Sequence, residues 1–85
     1  MKYRLLLRVD TLTQSTLVNP DGFGGWLVQN TGRGKVKVLG VTLAEGEKLD
    51  YTTLQPSVQW ETPISIEITD SIVVLHRLMY QQIKE

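Results

Sequence analysis

The chain opens with an alternation of apolar and polar side chains over residues 2–9. The apolar positions are Tyr3, Leu5, Leu7 and Val9, and the positions between them are basic apart from Leu6. A period of two places alternate side chains on opposite faces of a β-strand. We therefore predict a first strand over residues 2–9, with an apolar row on one face and a basic row on the other.

The same period recurs in short segments along the rest of the chain. It is clearest where Ile64, Ile66 and Ile68 alternate with polar residues, which predicts a half-buried strand. Further strands are predicted at residues 26–30, 35–39, 41–43 and 48–54, with a short edge strand within 11–18 and a brief pairing at 58–60.

Glycine, proline, aspartate and asparagine mark the turns between these strands. We predict that residues 31–34 close a hairpin, with Gly32 or Gly34 taking the positive φ that such a loop requires. The alternation changes phase at Leu39-Gly40, which predicts a two-residue turn or a bulge there. Other turns are predicted at residues 19–22, 44–47, 55–57 and 69–71.

The C-terminal segment from residue 72 supports two interpretations. Ile72-Val73-Val74 is β-branched and favours a strand, whereas residues 75–85 contain good helix formers, and apolar residues recur at helical spacing through Met79 and Ile83. We favour a strand that forms a hairpin with the preceding isoleucine strand, because a short turn joins the two β-branched runs. The alternative is a C-terminal helix from residue 72, which would make the fold α+β.

Composition favours the sheet. Val, Ile and Thr supply 23 of the 85 residues, whereas Ala, the best helix former, occurs once, at Ala44. With frequent turn signals and no alternation of strands and helices, we predict one all-β domain over residues 1–85. The expected architecture is a small antiparallel β-sandwich or partly open barrel of seven or eight strands. A core this small predicts modest stability, or stability gained from a partner.

The chain has no net charge, but its charge is divided along the sequence. Residues 1–40 sum to +4 (six basic, two acidic) and residues 41–85 to −4 (three basic, seven acidic). In a folded sheet the two halves either interleave and cancel, or form patches that register an assembly. A balanced total argues against a dedicated nucleic-acid protein. No secretion signal or membrane-spanning apolar run is recognisable, so we expect a soluble protein made inside the cell.

The sequence offers little for catalysis or metal binding. There is no Cys, and His76 is the single His, so neither a thiolate nucleophile nor a His- or Cys-rich metal site can form. Residues 32–35 resemble a phosphate-binding loop only superficially, since Val36 stands where Ser or Thr is required. We predict no enzymatic activity, no metal site and no cofactor.

A surface for other molecules is the remaining possibility. The aromatic side chains could pack in the core or at a subunit interface, or could form a platform on which sugars stack. The basic side chains could contact an acidic neighbour. The candidate interaction surface comprises Phe23, Trp26, Trp60, Arg4, Arg8, Arg33, Lys35 and Lys37.

Residues 26–32 (WLVQNTG) and 36–47 (VKVLGVTLAEGE) carry a resemblance to a known class of proteins. The pattern of an Asn-x-Gly turn, a Val-x-Val hairpin and a turn ending in Gly-Glu is similar to small β-sandwich accessory proteins of tailed bacteriophage particles. Leu39 stands where Asn is usual in the tight turn, and Glu45 where Pro is common. The resemblance covers residues 26–54 and implies a head-decoration, capsid-stabilising or tail-associated role as an oligomer. It transfers no functional residues.

These observations predict a non-enzymatic structural module that acts through protein surfaces, as a homo-oligomer or within a larger viral assembly. The alternative is a module that binds glycans or peptides with Phe23, Trp26 and Trp60. A weaker third hypothesis is contact with nucleic acid through Arg4, Arg8, Lys35 and Lys37, which predicts binding that weakens steeply with salt. No membrane partner is expected.

Overall fold

A computed structural model describes residues 2–19, 24–52 and 60–83. These residues form strands and connecting turns, and no helix occurs among them. The strands are β1 (Lys2–Leu12), β2 (Thr16–Val18), β3 (Gly25–Asn30), β4 (Lys35–Val38), β5 (Val41–Leu43), β6 (Lys48–Thr52), β7 (Ile64–Thr69) and β8 (Val73–Ile83). The predicted all-β class is therefore confirmed, and the alternative of a C-terminal helix is wrong.

The strands form two four-stranded antiparallel sheets. Sheet A has the order β1-β8-β3-β6, and sheet B has the order β2-β7-β4-β5. The two inner faces supply a single core, as expected for a small sandwich. The buried apolar side chains come from both sheets: Trp26, Val28, Val73 and Leu75 from sheet A, and Val18, Val36, Val38, Leu43, Ile64 and Ile66 from sheet B.

Two of the predicted hairpins are wrong, because each proposed pair of strands is divided between the sheets. Strand β3 belongs to sheet A and β4 to sheet B, so residues 31–34 cross the sandwich. In the same way β7 and β8 do not pair, and β8 lies between β1 and β3. The turn predicted at Leu39-Gly40 is confirmed: Val38 pairs with Val41, and both turn residues have positive φ (50° and 83°).

Neither Gly32 nor Gly34 has a positive φ, so that prediction is wrong. Glycine is needed at both positions because another segment of the chain passes too close to leave room for a side chain. A Cβ on Gly32 would lie 2.5 Å from Ser71 Oγ and 2.7 Å from the Ile72 nitrogen. A Cβ on Gly34 would overlap the carbonyl oxygens of Thr69 and Asp70. The two crossing connections, residues 31–34 and the segment after β7, therefore pack backbone against backbone.

Sheet A extends beyond the sandwich at one end. Strands β1 and β8 pair along eleven residues each, from Lys2 opposite Ile83 to Leu12 opposite Val73. Strand β3 covers β8 only between Val73 and Leu78. Residues 2–6 and 79–83 consequently form a two-stranded ribbon, and the molecule measures 47 × 19 × 17 Å.

Some sequence-based predictions fall outside the described residues. They are the turn at residues 55–57, most of the turn at 19–22 and most of the brief pairing at 58–60. The first strand is longer than predicted, ending at Leu12, and the edge strand after it is reduced to β2. Within the described part of the chain, no helix is long and apolar enough to cross a membrane.

Candidate interaction surface on sheet A

The apolar row predicted for the first strand lies on the outer face of sheet A, away from the core. Facing residues in an antiparallel pair share one side of the sheet. Leu12 faces the buried Val73, so the even-numbered residues of β1 point toward the core side and the odd-numbered ones point outward. The outward row is highly exposed: Leu5 by 56%, Leu7 by 60% and Val9 by 51%.

Strand β8 continues this apolar surface across the sheet. Leu78 lies opposite Leu7, and Tyr80 lies opposite Leu5. His76 lies opposite Val9 on one side and Leu27 of β3 on the other. We call this surface, formed by Leu5, Leu7, Val9, Leu27, Leu78 and Tyr80, the outer apolar face. Leu5, Leu7 and Val9 are its exposed members, and Leu27, Leu78 and Tyr80 are half-buried beside them.

The outer apolar face ends at an open sheet edge. Strand β1 is the edge of sheet A, and no described strand pairs with its other side. The other three edge strands are much shorter: β6 has five residues, and β2 and β5 have three each. Long edge strands are templates for pairing with another chain, which most proteins avoid by keeping edges short or covered. Strand β1 is eleven residues long, and its residues 2–9 are exposed in the described part of the chain.

The core-facing side of β1 carries an ionic cluster. Arg77 donates a hydrogen bond from Nη2 to Asp10 Oδ2, and Arg8 Nε lies 3.4 Å from the same oxygen. The Arg77 side chain is 17% exposed, whereas that of Arg8 is 67% exposed. Both contacts are made by Oδ2, so Oδ1 can accept a further donor. The cluster lies where β1 leaves the apolar core, and it takes the place of apolar packing there.

The aromatic residues pack on one another. Trp26 is 1% exposed, and its ring centroid lies 5.3 Å from that of Tyr51 and 5.4 Å from that of Trp60. Tyr51 and Trp60 complete the triangle at 5.2 Å. Trp26 therefore belongs to the core and offers no face to a ligand. Trp60 is half-buried, and its Nε1 donates to the Thr62 carbonyl. Phe23 lies outside the described residues.

The five basic candidates do not form one surface. Arg4 and Arg8 lie on the core-facing side of β1, whereas Lys35 and Lys37 lie on the outer face of sheet B. Lys37 faces Glu67 across the β4–β7 pair, and Arg33 lies in the connection between the sheets. Each sheet alternates strands from the basic and acidic halves of the sequence. The two halves therefore interleave, as one of the two sequence interpretations predicts.

Sequence analysis missed the residue that joins the two crossing connections, Asn30. Its side chain is fully buried and makes four hydrogen bonds. Nδ2 donates to the carbonyls of Gly34 (3.1 Å) and Leu43 (3.0 Å), and Oδ1 accepts from the Gly32 nitrogen (3.1 Å) and Ser71 Oγ (2.5 Å). The bond to the nitrogen two residues ahead is an Asx turn. The Asn-x-Gly spacing was the available signal.

In the described part of the chain, the side chains that could bind a metal ion are dispersed. His76 is half-buried on the outer apolar face, and among residues 2–19, 24–52 and 60–83 no three His, Asp or Glu side chains are placed to hold a metal ion. The turn acid Glu47 is engaged locally, since its Oε1 accepts from the Ala44 nitrogen at 2.8 Å. In comparisons with known proteins, no family model, no curated protein and no solved structure matches this chain.

Proposed function

We propose that the protein is a non-enzymatic assembly module that docks through the outer apolar face of sheet A and the adjoining edge of β1. The observation that carries the proposal is the row Leu5, Leu7 and Val9, each more than half exposed on an ordered strand. Covering the exposed part of each side chain would contribute about 1 kcal/mol at ~25 cal/mol per Å². Three such side chains beside an open strand edge favour contact with another molecule.

The assembly that fits best is a virus particle of the tailed-phage class, in which the protein would serve as a decoration or tail-associated component. Two features support this more specific proposal. One is the resemblance of residues 26–54 to small sandwich proteins of such particles. The other is the shape of the molecule, in which a small core carries a long paired ribbon with apolar side chains on its surface.

The glycan- or peptide-binding alternative receives less support from the geometry. Stacking on a sugar requires an open ring face, but Trp26 is buried and contacts both Tyr51 and Trp60. The ring triangle supports packing as the role of these side chains.

The proposal is tested by measuring whether the protein stays on particles purified from the host that produces it. We expect a fixed copy number of the wild-type protein per particle by quantitative mass spectrometry. The double variant Leu5→Ser/Leu7→Ser should be retained at least tenfold less. The matched control is Leu17→Ser, because Leu17 is equally exposed (61%) but lies on the outer face of sheet B.

Full retention of the double variant would eliminate the outer apolar face as the docking surface. Absence of the wild-type protein from particles would eliminate the virion role. Circular dichroism of all three proteins confirms that differences in retention do not arise from unfolding.

A further inference from the structure

The edge of β1 is complementary to itself. Two antiparallel copies of a strand, related by a twofold axis perpendicular to the sheet, place residues of the same face opposite each other. With the axis beside Leu7, the central residue of β1, Leu7 faces Leu7 of the second copy and Leu5 faces Val9. In the same register Arg4 faces Asp10, and the symmetry creates this pair of opposite charges twice.

Moving the twofold axis by one residue in either direction places like charges opposite each other. An axis beside Leu6 would place Arg4 opposite Arg8 twice, and an axis beside Arg8 would place that residue opposite itself. Like charges directly opposite each other destabilise a strand pair, whereas opposite charges stabilise it. Asp10 can take part because its contacts with Arg8 and Arg77 use Oδ2, which leaves Oδ1 able to accept from Arg4 of the second copy.

We propose that the occupant of the β1 edge is a second copy of this chain, paired antiparallel over residues 4–10 about a twofold axis at Leu7. The pairing joins two copies of sheet A into one eight-stranded sheet. It places the two rows of Leu5, Leu7 and Val9 side by side on one face, so the dimer presents about twice the apolar surface of one chain. This inference rests on the proposed function and specifies its first contact.

Single cysteines test the register directly, since the native chain has none. Directly opposite residues in an antiparallel pair have Cα atoms about 4.5–5.5 Å apart, within the range that a disulfide spans. We expect oxidised Leu7→Cys to form a covalent dimer. Leu5→Cys and Val9→Cys should not do so alone, because each residue is about 14 Å from its own copy. Mixed together, these two variants should form a heterodimer.

Two further measurements accompany the cross-linking. Leu17→Cys is the matched control for random collision and should stay monomeric under the same oxidation. Arg4→Glu turns both attractive pairs into repulsive ones, and should weaken dimerisation of the otherwise native chain at least about tenfold in sedimentation velocity.

The outcomes separate this inference from the proposed function. Efficient cross-linking of Leu5→Cys alone, or equal cross-linking of Leu17→Cys and Leu7→Cys, would overturn the register. A wild-type chain that stays monomeric at high micromolar concentration, with no preference for the Leu7 cross-link, would overturn self-pairing. In either case the retention of Leu5→Ser/Leu7→Ser on particles still decides whether the outer apolar face docks elsewhere.

Discussion

The two sheets bury the same kind of side chain but differ in what they present outward. The outer face of sheet B carries charged and hydroxyl side chains: Lys35, Lys37, Thr42, Ser65, Glu67 and Thr69. Among the described residues of that face, the large exposed apolar side chain is Leu17. The outer face of sheet A carries the apolar row of β1 backed by Leu78 and Tyr80 of β8.

The edges of the sheets differ in the same way. Sheet B ends in three-residue strands on both sides, whereas sheet A ends in the eleven-residue β1. The inner faces of both sheets must bury apolar side chains to form the core, so a comparison between them says little about function. The outer faces are free to differ, and this difference is the reason that we propose sheet A as the docking side.

The largest effect is expected where the two sheets are joined. Asn30→Ala removes four hydrogen bonds and leaves their buried partners unsatisfied, so the free energy of unfolding should fall by about 4 kcal/mol. Urea denaturation followed by tryptophan fluorescence measures this. Asn19→Ala is the control, because Asn19 is exposed and its loss should change stability by less than about 0.5 kcal/mol. Equal effects would show that Asn30 does not join the sheets.

The inner and outer faces of sheet A can be compared by truncating one leucine on each face. Leu75 is 1% exposed and Leu7 is 60% exposed. Leu75→Ala should lower the free energy of unfolding by about 3 kcal/mol because it creates a cavity, whereas Leu7→Ala should change it by less than about 0.5 kcal/mol in a monomer. Thermal unfolding at low protein concentration keeps association out of the measurement. A large loss for Leu7→Ala would show that the outer row packs within the chain.

The ionic cluster on the core-facing side of β1 should contribute less. Asp10→Asn keeps the size of the side chain and removes the anionic partner of the mostly buried Arg77, which should lower the free energy of unfolding by about 1–2 kcal/mol. Arg8→Gln is the control: Arg8 is more than half exposed, and its pair with Asp10 should be worth less than about 0.5 kcal/mol. The two variants are compared by urea denaturation in the same buffer.

The smallest effect is expected on the outer face of sheet B. Glu67 is exposed and lies opposite Lys37, so Glu67→Gln should change the free energy of unfolding by less than about 0.5 kcal/mol. It should also leave association unchanged in sedimentation velocity. A marked loss of association would show that sheet B also forms a docking surface, and would remove the contrast between the two sheets.

The fold class was predictable from the sequence because alternation and β-branching act locally. All eight strands overlap segments predicted as strands, and the turn at Leu39-Gly40 was located correctly because the change of phase in the alternation is visible in the residues around it. The extent of β8 was less certain, since its apolar residues also fit helical spacing. The segment forms a strand and not a helix because it pairs with β1 on one side and with β3 on the other.

The pairing of strands was not predictable from the same signals. A short connection suits a hairpin and a crossing between sheets equally well, and residues 31–34 and 70–72 are crossings. What decides between them is the buried Asn30 and the tight approach of Gly32 and Gly34 to the segment around Ser71. These contacts join residues about 40 positions apart. A local pattern does not contain them.

The candidate site shows a further limit of pattern analysis. The alternation in residues 2–9 shows that β1 has an apolar row and a polar row, but a core-facing row and a docking row look alike in sequence. The register with β8 resolves this, because Leu12 and Val73 fix which side faces the core. The aromatic residues show the converse: the sequence of Trp26 and Trp60 is compatible with packing and with an open platform, and their ring contacts are visible only in the folded chain.

The pairing of β1 with β8 also affects how the protein is made. Strand β1 leaves the ribosome before its partner β8, from which it is separated by residues 13–72. At roughly 5–20 residues per second, the ribosome needs several seconds to deliver β8. Throughout that interval an eleven-residue strand with an apolar row on one face has no β8 to pair with. We therefore expect the pairing of β1 with β8 to form late in folding, and we expect β1 to be open to contact with another nascent chain until then.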